Sequence, residues 1–186
     1  PWFLDGQDLF NEGFIRDDAL RAAPGADAPL EGSERVDFSL AQRRADALGD
    51  ALLEAWSDQD QSRHAAFKTW AEQQRTWLED HARFRVLHDQ HGTAWWDWPL
   101  PLARHENNAL RAWAEHHDDA LRREQLIQWH LDRQWQAIRR QAADLGIQLF
   151  GDLPFYVSSD SADVWSNRSL FTVKENGQLT TQSGVP

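Results

Sequence analysis

Residues 145–157 constrain this chain more than any other stretch. A helical pattern ends at Leu145-Gly146. A four-residue run follows, Ile147-Gln148-Leu149-Phe150, and it stops at Gly151-Asp152 before Leu153-Pro154-Phe155-Tyr156-Val157. A glycine directly after a helical pattern accepts the left-handed backbone that stops a helix. A short apolar run after a helix has the form of a buried parallel strand. Together they predict an α-to-β unit. Asp152 then stands at the strand's C-terminal end, the position where strands of a (β/α)₈ barrel present functional side chains. The same spacing also suits an aspartate that caps a turn before Leu153-Pro154.

Upstream, the pattern is helical. Residues 5–20 predict a short helix and a turn around Gly13, and residues 21–33 form a loop punctuated by Pro and Gly. Val36-Asp37-Phe38 reads as a short extended piece before a helix from about Ser39 to Trp56. One long helix is expected from Ser62 to His91, because Phe67, Trp70, Trp77, His81, Phe84 and His88 recur at steps of three, four or seven. Gly92 stops it. The two prolines of Trp95-Trp96-Asp97-Trp98-Pro99-Leu100-Pro101 keep that stretch from being helical throughout. The longest helical region spans Glu106 to Leu145, with a weak point at His116-His117-Asp118-Asp119. A short helix is expected at Ser161–Trp165 and a hairpin at Asn176-Gly177.

Composition narrows the function classes. The chain has 186 residues, 11 Trp and 9 Phe, enough apolar surface for a sizeable core. Trp also stacks well on sugar rings, although most large aromatics are simply core. The net charge of −11 repels phosphate backbones and argues against nucleic acid. No run is long and apolar enough for a membrane span, and no basic amphipathic stretch suggests a membrane surface. No signal peptide is visible and there is no cysteine, which is compatible with a cytoplasmic location. Pro1 and the absence of Met suggest an internal piece of a longer protein.

Several blocks resemble one family. Gly151-Asp152-Leu153-Pro154-Phe155-Tyr156-Val157 with Asp160-Ser161-Ala162-Asp163-Val164-Trp165 is similar to the Gly-Asp-x-Pro-Ile-x-Val … Asp-Ser-Ala-Asp-Val-Trp segment of the 4-α-glucanotransferases (amylomaltases, glycoside hydrolase family 77). Trp77-Leu78-Glu79-Asp80-His81-Ala82-Arg83-Phe84 resembles that family's Trp-Leu-x-Asp-Tyr-Ala-x-Phe helix. Trp95-Trp96-Asp97-Trp98-Pro99 resembles its Trp-x-Trp-Pro turn, and Gln134-Trp135 its Gln-Trp pair. Phe171, Asn176-Gly177 and Gly184-Val185-Pro186 have counterparts as well. The resemblance is firm over residues 65–186 and weak before them.

The resemblance implies an α/β fold: part of a (β/α)₈ barrel with a large, mostly α-helical insertion. Residues 1–33 would be an N-terminal barrel-edge segment and loop, 34–145 the insertion and a barrel helix, 146–157 a barrel strand and its loop, and 158–186 the start of a second insertion. It implies transfer of an α-1,4-glucan segment to a 4-hydroxyl by a retaining double displacement, with a carboxylate nucleophile and a second carboxyl acting as acid and then base. The partner would be an α-1,4-glucan or maltooligosaccharide, with no cofactor, no nucleic acid and no membrane. The resemblance places the catalytic carboxylates downstream of Pro186, so no catalytic residue is assigned in this chain. Asp152 matches an aspartate that supports the active-site network. Tyr156 and Trp165 are candidates to line the donor or acceptor cleft, with packing as the alternative for both. His81, His88 and His91 share part of a helix, but Asp80 and Asp89 point off that face, so no metal site is expected. The rival readings are a non-catalytic α-helical interaction module and a glucan-binding piece without chemistry.

Overall fold

The computed structural model describes residues 1–25, 37–152, 156–174, 176–178 and 180. The expected loop beyond Gly25, the motif residues Leu153-Pro154-Phe155 and the block Gly184-Val185-Pro186 lie outside them. Two compact units divide the chain. One joins Pro1–Gln73 to Arg122–Phe150, the other joins Gln74–Leu121 to Gly151–Pro186.

The first unit contains α1 (Gly6–Asn11), α2 (Asp17–Ala22), α3 (Phe38–Glu54), α4 (Gln61–Gln73) and, from Arg122 onward, α8 (Asp118–Asp144). Aspartates start two of these helices. Asp5 Oδ1 accepts the N–H of Gln7 at 2.8 Å, and Asp37 Oδ1 accepts that of Leu40 at 2.9 Å. Of the expected extended piece at residues 36–38, Val36 lies outside the described residues, Asp37 has extended backbone (φ −85°, ψ 95°) as an N-cap, and Phe38 is already helical, because the Asp37 carboxylate satisfies an otherwise orphaned N–H. Leu9, Phe14, Ile15, Leu48, Leu52, Phe67, Leu126 and Trp129 form the core. Gly49 permits α3 to approach α8, since a Cβ there would lie 2.6 Å from Ile127 Cδ1. Gln134 clamps the N-terminal segment. Its Oε1 accepts the Asp5 N–H at 3.0 Å, and its Nε2 donates to Asp5 O at 2.9 Å and Asp8 Oδ2 at 3.1 Å.

The single helix expected over residues 62–91 is two helices, α4 and α5 (Arg75–His91), separated at Gln74 (φ −94°, ψ 4°). Glu72-Gln73-Gln74-Arg75 supplies no apolar residue to hold a continuous face. The apolar residues on either side serve different cores: Phe67 the first, and Phe84 and Leu87 the second. The weak point expected at residues 116–119 is a real break between α7 (Asn107–Ala114) and α8.

The second unit holds α5, a 3₁₀ turn at Trp95–Asp97, α6 (Leu100–Ala103), α7, the start of α8, α9 (Ala162–Ser166) and a 3₁₀ turn at Arg168–Leu170. Ser161 caps α9, its Oγ accepting the Val164 N–H at 3.3 Å. The core is aromatic. Trp98 and Trp165 meet edge to face at 5.6 Å, and Phe84 lies 5.5 Å from Trp98 and 6.0 Å from Trp165. A buried indole removes roughly 200 Å² from water, about 5 kcal/mol gross before ordering entropy is set against it. At the expected hairpin, Lys174 N–H donates to Gln178 O at 2.9 Å and Thr180 N–H to Thr172 O at 2.8 Å. Gly177 has φ +75°, and a Cβ on it would fall 2.1 Å from Trp96 Cδ2, so both its backbone and its small size are required.

The helix stop before the apolar run is as expected. Gly146 has φ +68°, Ile147 N–H donates to Ala142 O at 2.8 Å and Gly146 N–H to Ala143 O at 3.0 Å, the paired bonds of a Schellman end. The strand that should follow is not there. Residues 147–150 carry no strand, and Ile147, Leu149 and Phe150 are exposed, Phe150 completely. A parallel strand needs neighbours to take its N–H and C=O groups and to cover both faces. Among the described residues there is one isolated bridge, at Val173, and no strand. The described residues are therefore helical and show no part of the expected barrel sheet.

Candidate functional site

All three residues singled out from the sequence belong to the second unit. Asp152 is exposed, two residues past the exposed Phe150. Tyr156 is 70% exposed. Trp165 is completely buried. Its Nε1 donates to Leu102 O at 3.0 Å, and its faces and edges meet Trp98, Phe84 and His105. No face of that indole is exposed, which matches the packing alternative for Trp165. Its contacts are with Leu102, Trp98, Phe84 and His105.

The Asp160–Trp165 block is instead an anchor. Asp160 Oδ1 accepts the Trp95 N–H at 3.3 Å, and its Oδ2 lies 3.2 Å from His88 Nε2. Trp95 Nε1 donates to Ser159 O at 2.8 Å. Two residues of the motif thus seat the segment after Tyr156 on α5 and on the Trp95–Asp97 turn: Asp160 by its carboxylate, Trp165 by burial.

Two contributors were missed. Asp80 Oδ1 accepts from His105 Nε2 at 2.9 Å and from Arg83 at 3.2 Å. Burial acts to raise the Asp80 pKa. The hydrogen bond and charge of His105, with those of Arg83, outweigh it and hold the carboxyl below its ordinary value. His105 has φ +57°, the only non-glycine with positive φ among the described residues. It occupies the left-handed position after α6: His105 N–H bonds Leu102 O at 3.0 Å and Glu106 N–H bonds Pro101 O at 2.9 Å. Nothing in Arg104-His105-Glu106 signals that turn, since glycine usually fills it. The strain, on the order of 1–2 kcal/mol, is met by the Asp80 bond and by the edge contact of His105 with Trp165 at 4.5 Å.

Beside Asp80, α5 and α9 border a cleft of about 260 Å³. Trp77, His81, Asp163 and Asn167 also line it. Burial, then the charge of Arg85, pushes His81 down to about 4, so its imidazole is neutral at pH 7. No group of three potential metal ligands occurs among the described residues, and His81, His88 and His91 do not converge on one. No helix among them is long and apolar enough to cross a membrane.

The family model described as 4-alpha-glucanotransferase matches residues 1–186. The 4-alpha-glucanotransferase of Thermus thermophilus is 32% identical over 188 residues, covering 100% of this chain and 36% of that protein. The Synechocystis enzyme of the same name is also 32% identical, over 189 residues, with the same shares covered. Of solved structures, an amylomaltase from Streptococcus agalactiae in complex with acarbose superposes with a TM-score of 0.77 at 25% identity, covering 95% of this chain and 35% of that one. The chain thus spans about a third of the length of the relatives it matches. With the family model matching from the first residue to the last, and the Asp160–Trp165 block placed as an anchor, the chain belongs to the 4-alpha-glucanotransferase family.

Proposed function

We propose that the whole protein containing these residues is a 4-α-glucanotransferase. It transfers a segment of an α-1,4-glucan to the 4-hydroxyl of an acceptor glucan or glucose by a retaining double displacement. The observation that carries this is the family match along all 186 residues. Its relatives bear that activity as their name. In this reading, residues 147–150 become a barrel strand when flanked by neighbours. The exposure of Ile147, Leu149 and Phe150, together with Trp135 and Ile138 on α8, supports a surface that other parts of the protein cover. Residues 34–145 supply the helical insertion and a barrel helix, and 158–186 begin a second insertion. The nucleophile and the acid/base lie outside this chain, which by itself is inactive. The protein works in the cytoplasm on maltooligosaccharides, without a cofactor.

Asp152 is the residue of this chain placed nearest the chemistry, with Tyr156 beside the sugar and Trp165 as support. An aspartate at a strand end orders neighbouring donors by accepting charge-assisted hydrogen bonds. In the whole protein, Asp152→Asn keeps the shape and removes the charge. Transfer should fall roughly ten- to a hundredfold, the equivalent of about 1.5–3 kcal/mol, while the thermal midpoint moves little. An unchanged rate with a sharply lowered midpoint would make Asp152 a turn cap.

A further inference from the structure

We propose that His88 is a positioning residue for glucan transfer: through Asp160 it holds the segment that carries Tyr156. The place of Tyr156 beside the sugar rests on the reading above; the hold itself rests on contacts within the second unit. His88 lies in the last turn of α5. Its C=O accepts the Gly92 N–H at 2.9 Å, and its ring meets Phe84 at 5.7 Å, so backbone and imidazole are both placed. Its Nε2 lies 3.2 Å from Asp160 Oδ2. An ionised carboxylate only accepts, so the imidazole proton stands on Nε2 and the bond is charge-assisted.

Two further bonds reach the same spot from the Trp95–Asp97 turn. Trp95 is completely buried, its Nε1 donating to Ser159 O at 2.8 Å and its N–H to Asp160 Oδ1 at 3.3 Å. The second of these lies just past the usual N–H···O range of about 2.7–3.2 Å and by itself lets the carboxylate turn about one oxygen. His88 takes the other oxygen and fixes the carboxylate plane. Tyr156 stands four residues before Asp160, and four residues span at most about 14 Å. A foot fixed at Asp160 therefore limits where the Tyr156 ring can reach. The His88 and Asp160 side chains are 36% and 28% exposed. Water screens the pair in part, which brings it to about the weight of one ordinary hydrogen bond.

The test uses the whole protein and reads maltotriose kinetics beside amide hydrogen exchange on peptides covering residues 92–98 and 156–165. In His88→Ala, exchange in both peptides should quicken roughly threefold or more. KM should rise roughly three- to tenfold with kcat within about twofold, because a contact made in ground and transition state alike enters KM. His88→Gln, whose amide nitrogen reaches the position of Nε2, should restore both readouts. Where the alanine variant does not fold, His88→Asn, which reaches only as far as Nδ1, takes its place. In a Tyr156→Ala background, His88→Ala should raise KM no further. A lowered thermal midpoint with KM unchanged, a KM effect that adds in full to that of Tyr156→Ala, or exchange that His88→Ala leaves as it was, overturns the proposal. A parent protein that transfers nothing removes the glucanotransferase reading instead, and exchange at Trp95 still decides whether His88 holds the segment.

Discussion

Replacing His130 with asparagine should flatten the acid side of the stability curve of this chain. His130 is completely buried in the first unit, 4.4 Å from the Phe14 ring and 4.7 Å from Trp129. Its Nδ1 accepts from Arg133 at 3.1 Å, and its Nε2 is buried with no partner among the described residues. Burial, followed by the charges of Arg133 and Arg63, pushes its pKa from 6.5 down to about 3. Above pH 6.5 neither folded nor unfolded chain protonates it. Between 6.5 and about 3 the unfolded chain binds a proton that the folded chain refuses, so stability is lost as pH falls. At pH 5 the loss from this group is about 2 kcal/mol relative to pH 7.5. His81, held down to about 4 by burial in the second unit, adds a loss of the same sign and about the same size. Asparagine keeps an acceptor toward Arg133 but cannot take the proton. It leaves a cavity whose penalty does not vary with pH. The assay is urea unfolding followed by tryptophan fluorescence at pH 7.5 and 5.0, in both proteins. The variant should start less stable and lose about 2 kcal/mol less than the parent between the two pH values. Identical losses would show that buried neutral His130 is not the source of the acid sensitivity.

Other perturbations follow from single contacts. Gly177→Ala puts a methyl 2.1 Å from the Trp96 ring at a backbone angle of φ +75°, and should lower stability by about 2 kcal/mol or more, visible as a fall in thermal midpoint. An unshifted midpoint would mean the hairpin is not seated on Trp96. His105→Gly relieves backbone strain yet removes the bond to Asp80, so it should destabilise despite relaxing φ. A double-mutant cycle with Asp80→Asn should give a coupling of about 1 kcal/mol or more, and zero coupling would sever the link between the left-handed turn and α5.

What the sequence revealed depended on whether one local device decided the structure. Gly146 did: a glycine after a periodic helix specifies its own stop whatever surrounds it, and Ala142 and Ala143 accept the bonds of that stop. Ser161 and Asn176-Gly177 acted the same way. Asp37 was legible in part, since its backbone is extended as expected while its carboxylate caps a helix that already includes Phe38. The split at Gln74 was hidden, since periodicity continues in phase from Phe67 to Phe84 although the two halves feed separate cores. Trp165 could be recognised as part of a motif, but only packing shows that its indole is fully covered. His105 gave no signal at all, its role arising from a turn where histidine stands in for glycine. The run Ile147–Phe150 has the composition of a buried strand, yet burial and pairing come from neighbours and no composition supplies them.

The most direct test of the account is incubation of the whole protein with maltotriose as sole substrate, followed by separation of the products by length. Transfer from a glycosyl-enzyme to a sugar 4-hydroxyl predicts glucose together with maltopentaose and longer chains, with little net gain in reducing ends, and no such ladder from the 186-residue chain alone. A protein that leaves maltotriose intact, or converts it only to glucose and maltose with a matching rise in reducing ends, would contradict the assignment as a glucanotransferase.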